Sequence, residues 1–275
     1  MKEFRNADGL TEAEFLAQYK PGNYQRPSVT VDTIVLGMNN NYDSLKLLLI
    51  KRKNHPYINR WAFPGGFVDM QESAFEGACR ELEEETGLTD VYLEQLYTYT
   101  DPDRDPRMRV IDIAYLALIP LIPAKAGDDA AEAAWFDVVM NDSELILSNQ
   151  EHQITIKYAL TKKKYTHGVV TVEGFETPTL VTEEGLAFDH PQILVDSILR
   201  LRNKVEYTDI AFNLMPEKFT LTDLQQVYEI LLGRSLYKKN FRTKINDKVT
   251  ATEETAVPII SKGTKPAVLY TYKGE

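Results

Sequence analysis

Glu81, Glu84 and Glu85 fall at positions i, i+3 and i+4 of a stretch with helical periodicity from about Ser73 to Thr86, so their carboxylates project from one face. Like charges crowded in this way repel unless a cation sits among them. A hard divalent ion, Mg²⁺ or Mn²⁺, takes oxygen ligands and keeps coordination room for substrate phosphates. Gly65 and Gly66 stand just before the helix, where they let the backbone come close, and the Gly65 carbonyl is a further candidate ligand. Arg80, four residues before Glu84, can fix that carboxylate by a paired hydrogen bond. Glu76 and Glu83 read as ordinary solvated charges, and an acidic helix that merely faces solvent is the alternative for the whole stretch.

The elements that position this helix are legible on both sides of it. Val29–Leu36 and Leu45–Ile50 read as strands joined across Asn39–Asp43, a hairpin. Beyond the helix, which Gly87 ends, strands are expected at Val91–Tyr99, Val110–Ile119, Ala134–Val138, Glu144–Leu147 and Ile154–Leu160, with a rigid polar loop at Asp101–Pro106. Thr11–Tyr19 is a short amphipathic helix ahead of them. Pro191 to about Asn203 is another, with Asp189 as N-cap. Strands with interspersed helices over the first 200 residues indicate an α/β or α+β sandwich.

From about residue 205 the texture changes. Thr220–Leu232 carries apolar residues at helical spacing between a threonine cap and Gly233, and Ser235–Asn246 offers a second, basic helix with Leu236, Phe241 and Ile245 inward. Ala256–Ile260 and Ala267–Tyr272 flank a basic tip and read as a β-hairpin. Helix, turn, basic helix and hairpin make a winged helix-turn-helix pattern. Its recognition side chains are expected to be Lys238, Lys239, Asn240, Arg242 and Lys244, with Lys262 and Lys265 on the wing. From residue 200 onward 13 Lys and Arg face 9 Asp and Glu, a local +4 in a chain of net charge −10.

The chain's 275 residues suggest two domains, and 43% hydrophobic with 26% charged residues is an ordinary globular composition. There is no run of eighteen apolar residues and no signal-peptide pattern at the N-terminus, so a cytoplasmic location without membrane partners is expected. A single cysteine, Cys79, excludes an internal disulfide framework.

Gly66, five residues, Glu72, seven residues, then Arg80-Glu81-Leu82-Glu83-Glu84-Glu85-Thr86-Gly87-Leu88 matches every fixed position of the Nudix box, the signature of the Nudix hydrolases. Arg60–Asp69, Tyr97–Arg107 and Leu186–His190 resemble the ADP-ribose-type branch of that family. Phe219–Glu229 and Asn240–Ile245 resemble the winged-helix half of Nudix-related transcriptional regulators, and the similar segments span most of residues 20 to 273.

The resemblance implies an α+β chain: a Nudix αβα sandwich with a mixed β-sheet, then a winged helix-turn-helix. The partition expected is an N-terminal extension over 1–27, a Nudix domain over 28–204 and a winged helix over 205–275. It implies Mg²⁺- or Mn²⁺-dependent cleavage of the pyrophosphate of ADP-ribose or a related nucleoside diphosphate sugar. Glu84 and Glu85 would be principal metal ligands, Glu81 a further ligand or base, and Arg80 and Glu72 support. Arg60, Asp103, Arg104 and Arg109 are candidates to hold diphosphate or ribose, and Glu132, Glu144 and Glu151 candidates for an additional base. Trp61 and Phe63 read as packing residues. Operator DNA and a homodimer are the implied partners. Many such regulators have lost glutamates from the box and sense a metabolite without cleaving it; here all are present, so hydrolysis is expected to persist.

Overall fold

Val31 and Val35 point to one side of their strand and Ile34, Leu36 and Met38 to the other, and all five are buried. A sheet apolar on both faces must be covered on both. The computed structural model describes residues 4–22, 24–120, 132–260 and 265–274. In chain order they form α1 (Glu12–Gln18), β1 (Ser28–Met38), β2 (Leu45–Lys51), β3 (Trp61–Ala62), β4 (Gly65–Phe67), α2 (Ala74–Thr86), β5 (Tyr92–Tyr99) and β6 (Val110–Pro120). There follow β7 (Glu132–Met140), β8 (Glu144–Asn149), β9 (Ile154–Ala159), β10 (Lys162–His167), β11 (Val170–Phe175), β12 (Thr179–Leu180) and α3 (His190–Val205). The last third holds β13 (Phe219–Thr220), α4 (Leu221–Leu232), α5 (Lys238–Ile245), β14 (Val249–Ala256) and β15 (Ala267–Tyr272).

The large sheet runs β12-β9-β8-β7-β2-β1-β6-β5, with β3 added to β2 and β4 to β1. Its β1–β6 pair is parallel and its other pairs are antiparallel, which makes it mixed. Helix α2 lays Ala78 and Leu82 on the face that carries Val31 and Val35. On the opposite face α3 packs Ile193, Leu194 and Val195 into the cluster of Ile34, Leu36, Leu47 and Leu116. That cluster continues into Leu224, Val227 and Leu231 of α4 and Phe241 and Ile245 of α5. One helix, α3, therefore serves both halves of the chain. The α+β class, the Nudix fold and the C-terminal winged helix are thus present.

Two local expectations need correction. The first strand of the wing is β14, Val249–Ala256, not Ala256–Ile260. Pro258 has no N–H to donate to a ladder, and the Ile260 N–H turns away to Asp223 Oδ1 at 3.2 Å. Asp189 occupies the N-cap of α3 but makes no side-chain cap bond, because its carboxylate is held by Arg104. The lysine-rich stretch Lys162–Phe175 adds a hairpin in which β10 pairs with β11, apart from the large sheet among the described residues. Among the described residues no helix is long and apolar enough to cross a membrane.

Candidate functional site

Ser73 starts α2 by accepting from the Glu76 N–H at 3.2 Å, and the Glu76 carboxylate accepts from Ser73 N–H at 2.7 Å. This capping box gives a structural duty to a glutamate that reads in sequence as a solvated charge. Gly87 ends the helix at φ 72°, where a side chain would be strained.

The glycine pair is demanded by close approach. A Cβ on Gly65 would lie 2.1 Å from the Val31 carbonyl oxygen, and one on Gly66 would lie 2.3 Å from Glu81 Oε1. With no side chain in the way, Gly65 N–H donates to Glu85 Oε2 at 2.7 Å. Arg80 is the hub of the other acids. Its guanidinium donates to Glu72 twice (3.0 and 2.7 Å), to Glu81 at 2.9 Å, to Glu84 at 3.1 Å and to the Phe67 carbonyl at 3.1 Å. The pairing with Glu84 anticipated from spacing is present, but the bidentate partner is Glu72.

Charge is unevenly relieved across this group. The hydrogen bonds from Arg80 pull Glu72 down to about 2. Burial pushes Glu85 up to about 8, with Glu81 and Asp32 adding to the rise, and burial also raises Glu81 despite Arg80. Among the described residues no three ligating side chains converge on one point. Glu85 faces Gly65, whereas Glu81 and Glu84 are tied to Arg80. The donor chemistry nevertheless suits a hard divalent ion, since two carboxylates carry charge that their surroundings disfavour and all available donors are oxygen.

A pH dependence follows. A carboxyl raised in the folded state binds more protons than in the unfolded state, so its stabilising contribution is present at low pH and lost as pH climbs through the folded value. The metal-free protein is expected to lose melting temperature between about pH 5 and pH 8, and millimolar Mg²⁺ is expected to reverse most of that loss at pH 8. Thermal melts with EDTA or Mg²⁺ check this; a flat metal-free profile contradicts it.

Beside these acids lies a cavity of about 370 Å³ lined by Asp32, Arg52, Gly65, Gly66, Phe67, Arg104, Arg107, Phe188 and His190, among others. Its floor is a buried charge network. Arg104, with 4% of its side chain exposed, donates to Asp189 at 3.0 and 2.8 Å and lies 3.6 Å from Asp32 and 3.7 Å from Asp112. Burial and the neighbouring Asp32 raise Asp112 well above its ordinary value, which favours its neutral form. Burial pushes Asp32 up as well, but His190 and Arg104 outweigh it and keep Asp32 ionised. His190 Nδ1 accepts from Phe63 N–H at 3.0 Å, which leaves its Nε2 facing Asp32 at 3.5 Å.

Of the ligand candidates read from sequence, only Arg104 lines this cavity. Arg60 donates to the Gly185 carbonyl at 3.4 Å, Arg109 donates to the Asp101 and Val110 carbonyls, and the Asp103 N–H closes a turn on Asp101. None of Glu132, Glu144 and Glu151 reaches it; Glu132 instead pairs with His152 at 2.9 Å. Trp61 and Phe63 are both 1% exposed and pack against Phe136 and His190 respectively. Sequence reading missed Arg52, Arg107 and Phe188. They come from three separate loops, and no local periodicity marks them.

In the C-terminal half, Thr220 caps α4, and α5 buries only Phe241 and Ile245. Lys238, Lys239, Asn240 and Arg242 are exposed. Lys244 is engaged by its own chain, donating to the Glu206 carbonyl at 2.9 Å beneath Tyr228. Lys265 is exposed at the start of the second wing strand, and Lys262 lies outside the described residues.

Known proteins share this arrangement. The model of the NUDIX domain matches residues 27–155, and that of the NrtR DNA-binding winged helix domain matches residues 211–272. The ADPR responsive transcriptional repressor NtrR of Acinetobacter baylyi is 34% identical over 264 residues, covering 95% of this chain and 88% of that protein. An ADP-ribose pyrophosphatase of Methanocaldococcus jannaschii is 45% identical over 115 residues, 42% of this chain and 64% of that protein. A crystal structure of a MutT/nudix family protein from Enterococcus faecalis superimposes with a TM-score of 0.78 at 33% identity, covering 96% of this chain and 94% of that one. With the box helix, the mixed sheet and the winged helix all in place, the chain belongs to the family of Nudix proteins that carry an NrtR-type winged helix.

Proposed function

We propose that this chain binds a nucleoside diphosphate sugar of the ADP-ribose type in the cavity beside α2, hydrolyses its pyrophosphate with Mg²⁺ or Mn²⁺, and binds operator DNA through α5 and the β14–β15 wing. The partition that goes with this reading is an extension over 1–27, a Nudix domain over 28–204 and a winged helix over 205–275, working as a homodimer in the cytoplasm. The observation that carries it is that all the box glutamates are present, with Glu85 and Glu81 of α2 against Gly65 and Gly66, which line a cavity that also holds three arginines. The names of the Acinetobacter and Methanocaldococcus relatives support ADP-ribose as the ligand class.

Glu81, Glu84 and Glu85, with the Gly65 carbonyl, would hold the divalent ion, which when bound neutralises diphosphate charge and acidifies a water. Arg80 orients Glu81 and Glu84 through its fixed hydrogen bonds, and Glu72 anchors Arg80 in turn. The buried floor of Asp32, Asp112 and Arg104 sets the shape of the cavity from below. Incubation with ADP-ribose and Mg²⁺, read out as AMP and ribose 5-phosphate, tests the reading. Binding without turnover would leave the second reading, a sensor that recognises the metabolite without cutting it. That second reading is favoured by Glu81 and Glu84 being committed to Arg80 rather than to a preformed ligand cluster.

For DNA, Lys239→Ala and Arg242→Ala are each expected to weaken binding to the chain's own upstream region and to lower the salt slope by about one. Lys244→Ala should change that slope less, because its ammonium already has an internal partner. Mobility shifts at several salt concentrations check both, and equal slopes for all three variants would contradict the assignment.

A further inference from the structure

Three arginines line the cavity, and their surroundings differ in a way that decides which is available to a ligand. Arg104 is enclosed by Asp32, Asp112 and Asp189, so its charge is already answered. Arg107 donates to Asp105 at 3.0 and 2.7 Å through one edge of its fork. Arg52 donates its Nε to the Pro56 carbonyl at 2.9 Å and forms no salt bridge among the described residues.

Arg52 and Arg107 share one aromatic ring. The Arg52 guanidinium lies 4.8 Å from the Phe188 centroid and the Arg107 guanidinium 6.0 Å from it, with Arg107 also 5.4 Å from Phe67. Two cations beside one ring repel. Burial and then the nearness of Arg107 hold Arg52 below its ordinary value. Phe188 itself sits at φ 49°, a left-handed backbone that a bulky residue rarely adopts, and Tyr57, at φ 61°, braces it edge-on with centroids 4.8 Å apart. Phe188 thus holds two guanidinium groups together at the edge of the cavity, where an anion bridging them would offset their repulsion.

We infer that Arg52 and Arg107 are the cation pair that grips the diphosphate of the ligand, and that Phe188 is the positioning residue that sets their spacing. This rests on reading the cavity as the ligand site. A disubstituted diphosphate carries two charges and presents oxygens that two guanidinium forks can each engage, whereas a monophosphate ester engages one of them. The pair therefore selects for the diphosphate rather than for the base or sugar. Arg104, one of the arginines singled out in the sequence, belongs to the floor.

Calorimetric titration of the full chain with ADP-ribose, AMP and inorganic pyrophosphate, in EDTA to suppress turnover, tests this. Arg52→Gln and Arg107→Gln are each expected to weaken ADP-ribose and pyrophosphate at least tenfold and AMP by a smaller factor. Phe188→Leu should weaken both diphosphates, and Phe188→Tyr should restore most of that loss, which a merely space-filling role would not require. Far-UV circular dichroism verifies folding; if one arginine variant fails to fold, the other decides. ADP-ribose affinities within twofold of wild type for both arginine variants would overturn the inference, and unchanged affinities in Phe188→Leu would overturn its positioning half. A wild type that binds pyrophosphate through Arg52 but not ADP-ribose leaves the clamp standing and removes the ADP-ribose reading. A wild type that binds neither overturns the clamp.

Discussion

Glu85→Gln is expected to abolish measurable turnover of ADP-ribose while raising the melting temperature of the metal-free protein. Glu85 is only 8% exposed, and its Oε2 accepts the Gly65 N–H at 2.7 Å. The amide oxygen of glutamine can accept the same bond, so the local structure survives the change. What disappears is a charge that burial opposes strongly enough to raise the carboxyl to about 8. As pH rises from about 5 to 8 the unfolded chain gives up this proton while the folded chain must keep it or bury the anion, a cost the variant does not carry. On the proposed metal-binding role, loss of this charge should remove several kcal/mol of stabilisation from the charge developing on the phosphate, and about 4 kcal/mol corresponds to about a thousandfold in rate. A site whose removal increases stability is one held in place for activity rather than for folding. Paired melts and product assays check both halves. Full activity in Glu85→Gln would exclude it as a metal ligand, and a lowered melting temperature would show that burial is not the dominant effect.

The largest effect on stability is expected from Arg104→Met. The guanidinium is 4% exposed and answers three carboxyl groups at once. Removing one member of a buried ion network leaves uncompensated charge, at a typical cost of about 3–5 kcal/mol. Here the lower end applies, because burial already favours the neutral form of Asp112 and Asp189, with 25% of its side chain exposed, can turn to water. The burden falls on Asp32, whose Arg104 contribution is lost while that of His190 remains. A cost of about 3 kcal/mol in a chain of this size corresponds to a fall of about 10 °C in melting temperature. The sign with pH is also defined. Losing Arg104 raises Asp32 toward neutrality, so the variant should recover part of its deficit as pH drops from 7 to 5. Asp189→Asn, which spares the deeper pair, should cost less than half as much. A deficit in Arg104→Met that is independent of pH would mean packing, not charge, was lost.

The structure also separates what local pattern determines from what it leaves open. Residues three and four apart on a helix must share a face, so the clustering of Glu81, Glu84 and Glu85 on α2 was readable directly, as were its start at Ser73 and its end at Gly87. The alternation of Val31, Ile34 and Val35 likewise required a sheet covered on both sides. Where apolar composition and backbone chemistry disagreed, composition misled: Ala256–Ile260 looks like a strand, yet Pro258 cannot join a ladder and the Thr-rich Val249–Ala256 forms it instead.

By itself, then, the sequence determined the box helix, its caps, most strands and the winged helix, because each is marked by local periodicity and by its capping and turn residues. Only the tertiary structure decided which arginines line the cavity and which of them carboxylates already engage. Arg52, Arg104 and Arg107 look alike in sequence, and their difference lies in which carboxylates the fold brings beside each of them. Asp32 and Asp112 come together on adjacent parallel strands, and Asp189 reaches them from the start of α3. Charge is answered through space, so its availability at the cavity could be read only once strands eighty residues apart had been set side by side.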